Sequence, residues 1–220
     1  MGSAMPGFTK GWARRDGDKG GGRGLGDLFK TQVPVKTQIE RANREVALLV
    51  ARLNQAEARV KARDQDMFRR VVGAVRRGDS DRAAIFANEL AQIRKLWTTV
   101  SGAKLALEQV SMRLSTVSDM GDVAAALAPT IGVIRGVGGT LATVVPNAQG
   151  EIDEIAGLLS STLVEAGTAG GASLNFQAAN SEAEQVLAEA AALASERAMG
   201  EFPEVPATIV RNEEEEGLAI

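Results

Sequence analysis

The chain reads as an all-α protein: a long antiparallel helical hairpin, shorter C-terminal helices packed on it or detached from it, and flexible termini. Three observations predict this. Apolar residues recur with alternating spacings of three and four over two stretches of nearly forty residues. The stretches meet at "RRGDSD", which carries turn and capping residues. Aromatic residues make up only 4% of the chain, so the core rests on Ala, Leu and Val.

The first helix is predicted from Thr37 to about Arg77. Ile39, Ala42, Val46, Leu49, Leu53, Ala56 and Val60 follow the a/d pattern of a heptad seam. Arg63 interrupts that seam, and Met67, Val71 and Ala74 resume it. Gly78 serves as the C-cap, with Asp79 or Ser80 as the next N-cap. The second helix runs from Ser80 to Val117 on Phe86, Leu90, Ile93, Trp97, Val100, Ala103, Leu107, Val110, Leu114 and Val117. So short a turn makes the two helices antiparallel, and each is roughly 55–60 Å long. A pair of that length has little core per residue. It needs other segments, or other copies of itself, over its seam.

The flanking segments divide by composition. Residues 1–36 form a flexible basic arm, and its "GGGRGLG" lacks the strand and Gly-Lys-Ser/Thr of a phosphate loop. Residues 37–166 form the helical core, with the hairpin over about 37–117 and short helices after it. Within the core, Val123 to Pro146 is Ala- and Gly-rich with a single charge, Arg135. Pro129, the glycines and that Arg make it a poor membrane span, and hinges are expected at the glycines. A helix starts near Glu151. Residues 167–180 read as a linker, and 181–198 as an acidic helix capped by Ser181 and Glu184. Residues 199–220 form a tail with a proline motif.

Several chemistries are absent. The chain has no Cys, His or Tyr, which removes disulfides, thiolate nucleophiles, the usual zinc ligands and the commonest general base. No convergent catalytic cluster is visible, and no cofactor, metal or small-molecule substrate is expected. The N-terminus lacks the apolar run of a secretory signal. Specific nucleic-acid recognition is not indicated, since no reading motif is present.

Charge is divided unequally. Residues 1–118 hold 22 Lys and Arg against 12 Asp and Glu, while residues 119–220 hold 3 against 16. The basic half suits an anionic surface, and the acidic half suits masking it. On a helical wheel Arg41, Arg52, Arg59, Arg63, Arg70 and Arg77 fall within a sector of roughly 40°. This row is either a solvated face or a guanidinium ladder for anionic lipid, nucleic acid or an acidic neighbour. Phe8 and Trp12 give the arm apolar residues among cations, a mixture that enters bilayer surfaces shallowly. Near the end, Phe202-Pro203-Glu204-Val205-Pro206 is a stiff, half-apolar strip outside the packed helices. It reads as a docking motif for a groove between helices, or as a stiffened linker.

The order of these features resembles the ESCRT-III family, in particular its archaeal cell-division members of the CdvB type. The basic arm precedes "VPVKTQIERANREVALLVARLNQAEARV", the hairpin turns at "RRGDSD", "SDMGDVAAALAPTIGVI" follows it, and the acidic half ends in "FPEVPAT". The last is similar to the extended motif by which members bind the MIT domain of an AAA ATPase, although Phe202 stands where a Leu is frequent. The resemblance implies a non-enzymatic, cytoplasmic protein that polymerises with itself and with paralogues on anionic membrane at the division site. It further implies that the helix carrying Glu182, Glu184, Glu189 and Glu196 folds back as an autoinhibitory latch. The proline strip becomes the handle of the ATPase. The alternatives are a soluble helical adaptor that does not polymerise, a PspA-like membrane coat, and a non-specific nucleic-acid binder.

Overall fold

The computed structural model describes residues 34–117, 123–142, 144–145, 148–170 and 176–205. Five helices follow in order: α1 (Val35–Arg76), α2 (Ser80–Val117), α3 (Val123–Leu141), α4 (Ala148–Gly170) and α5 (Phe176–Glu201). No strand occurs among the described residues.

The hairpin turn is made by capping chemistry. Gly78 adopts φ 68°, a left-handed conformation that an L side chain resists. Its N–H donates to the Val75 carbonyl at 3.0 Å, and the Asp79 N–H donates to the Ala74 carbonyl at 3.1 Å. That pair of bonds is a Schellman motif, which satisfies the last carbonyls of α1. Asp79 then caps α2, its Oδ1 accepting from the Arg82 N–H at 3.2 Å. α1 and α2 therefore lie side by side. The predicted seam is buried: Ile39, Val46, Leu49 and Leu53 face Val100, Leu107 and Leu114 in one core cluster. Ile93 is only half-buried.

The seam is interrupted differently from the expectation. Asp64, not Arg63, turns inward, with 1% of its surface exposed. The buried positions run Val60, Asp64, Met67, Val71, Ala74. Two successive spacings of four around Val60 form a stutter, which shifts the seam around the helix.

The remaining helices cover the hairpin within one chain. α3 packs on α2, α4 and α5, while α4 also reaches α1. Leu127, Ile134 and Leu141 of α3 and Ile152, Ile155 and Leu159 of α4 join the hairpin core. The seam is thus covered without a second copy. α3 is long and apolar enough to cross a membrane, with a mean hydropathy of 1.3, but half of that window is buried against its neighbours. Its glycines are not hinges. The helix is continuous, and a Cβ at Gly132 would sit 2.8 Å from the Ala183 Cβ of α5. A Cβ at Gly136 would overlap Leu187 Cδ1. Glycine lets α5 lie close against α3.

Two C-terminal boundaries also differ. α4 extends to Gly170 and α5 begins at Phe176, so helix occupies most of the expected linker. Ser181 and Glu184 lie inside α5 and cap nothing. Ala179, Ala183, Ala190 and Ala194 are the buried face of α5, which extends its periodicity upstream of Ser181.

Candidate functional site

The arginine row runs along one side of α1, and the structure divides it in two. Near the root, Arg41 pairs with Glu154 of α4 at 3.6 Å, and Arg52 pairs with Glu151. Toward the tip, Arg59, Arg63, Arg70 and Arg77 are exposed and form no ion pair among the described residues. All six are exposed, and two of them are paired with acids of α4. α4 reaches the root arginines because Ile152, Ile155 and Leu159 bury on one face of it, and Glu151 and Glu154 fall on the edge beside α1.

The four glutamates expected to act together on α5 do not. Glu182 pairs with Arg113 on α2. Glu184, Glu189 and Glu196 are exposed and reach no basic side chain among the described residues. α5 is held instead by its alanine face against α2 and α3. Apolar packing is non-directional and outweighs exposed ion pairs, which contribute about 0–1 kcal/mol each. Sequence reasoning placed the covering acids on α5 and missed those on α4. The "EIDEI" spacing of Glu151 and Glu154 beside two isoleucines was the available signal.

The proline strip corrects the expectation most. It does not lie outside the packed helices. Phe202 is 9% exposed and packs with Val60 and Trp97. Its ring meets Trp97 edge to face, with centroids 5.2 Å apart and planes at 86°. The Arg94 guanidinium lies over the same ring at 5.2 Å. Val205 is half-buried against Met67, Val71 and Leu90. Pro203 and Glu204 are exposed, and Glu201 pairs with Lys61. Burying a Phe side chain stabilises by about 1.5–3 kcal/mol.

Beneath the strip lies a charge pair. Arg94 Nε donates to Asp64 Oδ1 at 2.8 Å. Arg94 Nη2 and Trp97 Nε1 are buried without a hydrogen-bond partner among the described residues. A buried donor left unpaired costs about 1–3 kcal/mol, the same order as the burial of Phe202 contributes. Phe8, Trp12 and Pro206 lie outside the described residues. Among the described residues no group of three or more His, Cys, Asp or Glu is placed to hold a metal ion.

Among the known proteins that the chain is similar to are two of one organism. The chain is 38% identical over 178 residues to Cell division protein B1 of Sulfolobus acidocaldarius, covering 81% of this chain and 83% of that protein. It is 27% identical over 186 residues to Cell division protein B of the same organism, covering 83% of this chain and 71% of that protein. No family model matches the chain, and no solved structure does.

Proposed function

The chain belongs to the archaeal cell-division proteins of the CdvB type, within the ESCRT-III family, and on that premise we propose that it is a membrane-remodelling filament subunit. Its role in archaeal cell division follows from the family. Family and all-helical fold together point to a structural protein. The finer reading is that it polymerises on anionic membrane, with itself and with paralogues, at the cytoplasmic face of the division site. An AAA ATPase then takes it apart, holding the strip from Phe202 to Pro206 through its MIT domain.

The observation that carries the membrane part is the divided arginine row. Arg59, Arg63 and Arg70 on one edge of α1, with Arg77 at its C-cap, are exposed and have no acidic partner among the described residues. Such groups make bidentate contacts to phosphate and act together along a rigid helix. Arg41 and Arg52 are also exposed, and they join the row when their surface pairs with Glu154 and Glu151 on α4 break. Sedimentation with anionic liposomes, followed by electron microscopy of the pellet, tests this. Filaments on the vesicles support the reading, and protein that stays in the supernatant at low salt refutes it.

A second reading is a soluble adaptor that does not polymerise. The self-contained core favours it, because one chain covers its own hairpin. The same sedimentation experiment separates the two.

A further inference from the structure

The strip from Phe202 to Val205 sits in a shaped site on the hairpin. An extended proline-type backbone repeats every three residues, so Phe202 and Val205 fall on one face. That face is the buried one. Phe202 enters the space bounded by Val60, Arg94 and Trp97, and Val205 meets the Met67–Val71–Leu90 patch nearer the tip. Pro203 and Glu204 remain outward. Two separate apolar seats three residues apart, with a proline between them, match an aromatic-Pro-x-aliphatic peptide.

The seat is also imperfectly filled. Trp97 Nε1 and Arg94 Nη2 stay buried without acceptors among the described residues while the strip is in place. Native proteins pair most buried donors, so an occupant that leaves two unpaired is held less firmly than its contacts alone indicate. Trp97 also borders a groove of about 420 Å³ between α1 and the end of α5. The end of α5 therefore does not fill all the space beside this indole.

We propose that Val60, Arg94 and Trp97, with the apolar patch beside them, form a peptide-binding site on the hairpin for an aromatic-Pro-x-aliphatic strip. In the closed chain the site holds the chain's own residues 202–205. Once vacated, it accepts the same strip from a second copy. Because the anchors Phe202 and Val205 face inward, the hairpin and the ATPase domain exclude each other from the strip. This last step rests on the handle reading given above. Its consequence is selectivity: the ATPase engages chains whose strip has left the hairpin, and passes over closed ones.

Two arms test the proposal on the full chain in a Trp12→Phe background, where Trp97 is the one remaining tryptophan. In the first, Phe202→Ala vacates the seat, and a labelled peptide of residues 201–210 is titrated in trans. It is expected to bind and to reverse the red shift of Trp97 emission that the substitution causes. No binding, or binding that leaves Trp97 emission unchanged, overturns the site. In the second, the MIT domain is titrated with the free peptide and with the full chain. The chain is expected to bind about tenfold or more weakly, in proportion to its open fraction. Lys61→Glu repels Glu201 while leaving Phe202, Val205 and Trp97 themselves unchanged, and should bring the chain's affinity toward the peptide's. Equal affinities of chain and peptide overturn the exclusion. A peptide that does not bind the domain overturns the handle, while the first arm still decides the hairpin site.

Discussion

Arg94 on α2 donates from Nε to the buried Asp64 carboxylate on α1 at 2.8 Å, where the heptad seam slips by one position. A charge in an apolar seam is costly unless paired, and here the pair bridges the two helices. It fixes which turn of α1 faces which turn of α2. It also holds the guanidinium beneath the Phe202 ring, so that hairpin register and tail docking share one residue.

Replacing Asp64 alone should therefore be more damaging than replacing both partners. Asp64→Leu strands Arg94, and breaking a buried pair typically costs about 3–5 kcal/mol. The lower end applies, since 20% of the Arg94 side chain is exposed. Asp64→Leu/Arg94→Leu should recover most of the loss. Urea denaturation of the two variants and the wild type measures this. A cost of less than about 1 kcal/mol for Asp64→Leu would mean that the pair is solvated and sets no register.

The hairpin was legible because its signal is local. Spacings of three and four mark a seam whatever lies across it, and "RRGDSD" carries its own capping chemistry. The stutter was not legible. Arg63 and Asp64 are both charged, and periodicity does not say which one turns inward until Arg94 stands opposite. α3 read as hinged because a glycine in sequence looks the same whether it bends a helix or admits a neighbour. Only Ala183 and Leu187, some fifty residues away, decide between those. The tail strip was recognisable by composition, but its seat is assembled from α1 and α2 and leaves no mark within the strip itself.

The unpaired arginines give a selective test of membrane binding. Arg59, Arg63 and Arg70 reversed to Glu should abolish sedimentation with anionic liposomes, with little effect on folding, since they contact no acid among the described residues. Wild-type binding should weaken steeply with salt, as exposed charges are screened over about 10 Å at 0.1 M. Arg41→Glu/Arg52→Glu should instead loosen α4 by opposing Glu154 and Glu151. Normal liposome binding by the tip variant would reduce the row to a solvated face.

Gly132 tests whether α5 is a latch. A Cβ there meets Ala183 Cβ, which belongs to a helix and cannot swing aside. Gly132→Val should push α5 off α3. Gly136→Ala meets the end of a flexible Leu187 and should be tolerated far better. Faster proteolysis within α5 is expected for Gly132→Val, together with more assembly on liposomes than for wild type. The same gain is expected on deleting everything from Ser181 onward, which removes Glu182, Glu184, Glu189 and Glu196 with the tail. Rapid cleavage of α5 without any gain in assembly would show that α5 covers the hairpin but does not restrain it.

Val205→Asp should act in two directions at once. In a free peptide of residues 201–210, the new carboxylate would enter an apolar groove of the MIT domain without a partner, which costs at least about 1–3 kcal/mol. Short peptides of this kind bind near the micromolar range, about −8 kcal/mol, so a loss of tenfold or more is expected. In the full chain Val205 also packs on Met67, Val71 and Leu90, and the same carboxylate is unwelcome there. The strip should leave the hairpin, exposing Trp97 and easing assembly. The variant should therefore polymerise at least as readily as wild type, yet resist disassembly by ATPase and ATP. Fluorescence of Trp97, peptide titration and a disassembly assay read the three effects separately. Unchanged peptide affinity would remove the handle, whereas lost affinity with unchanged Trp97 emission would show that Val205 contributes nothing to holding the strip on the hairpin.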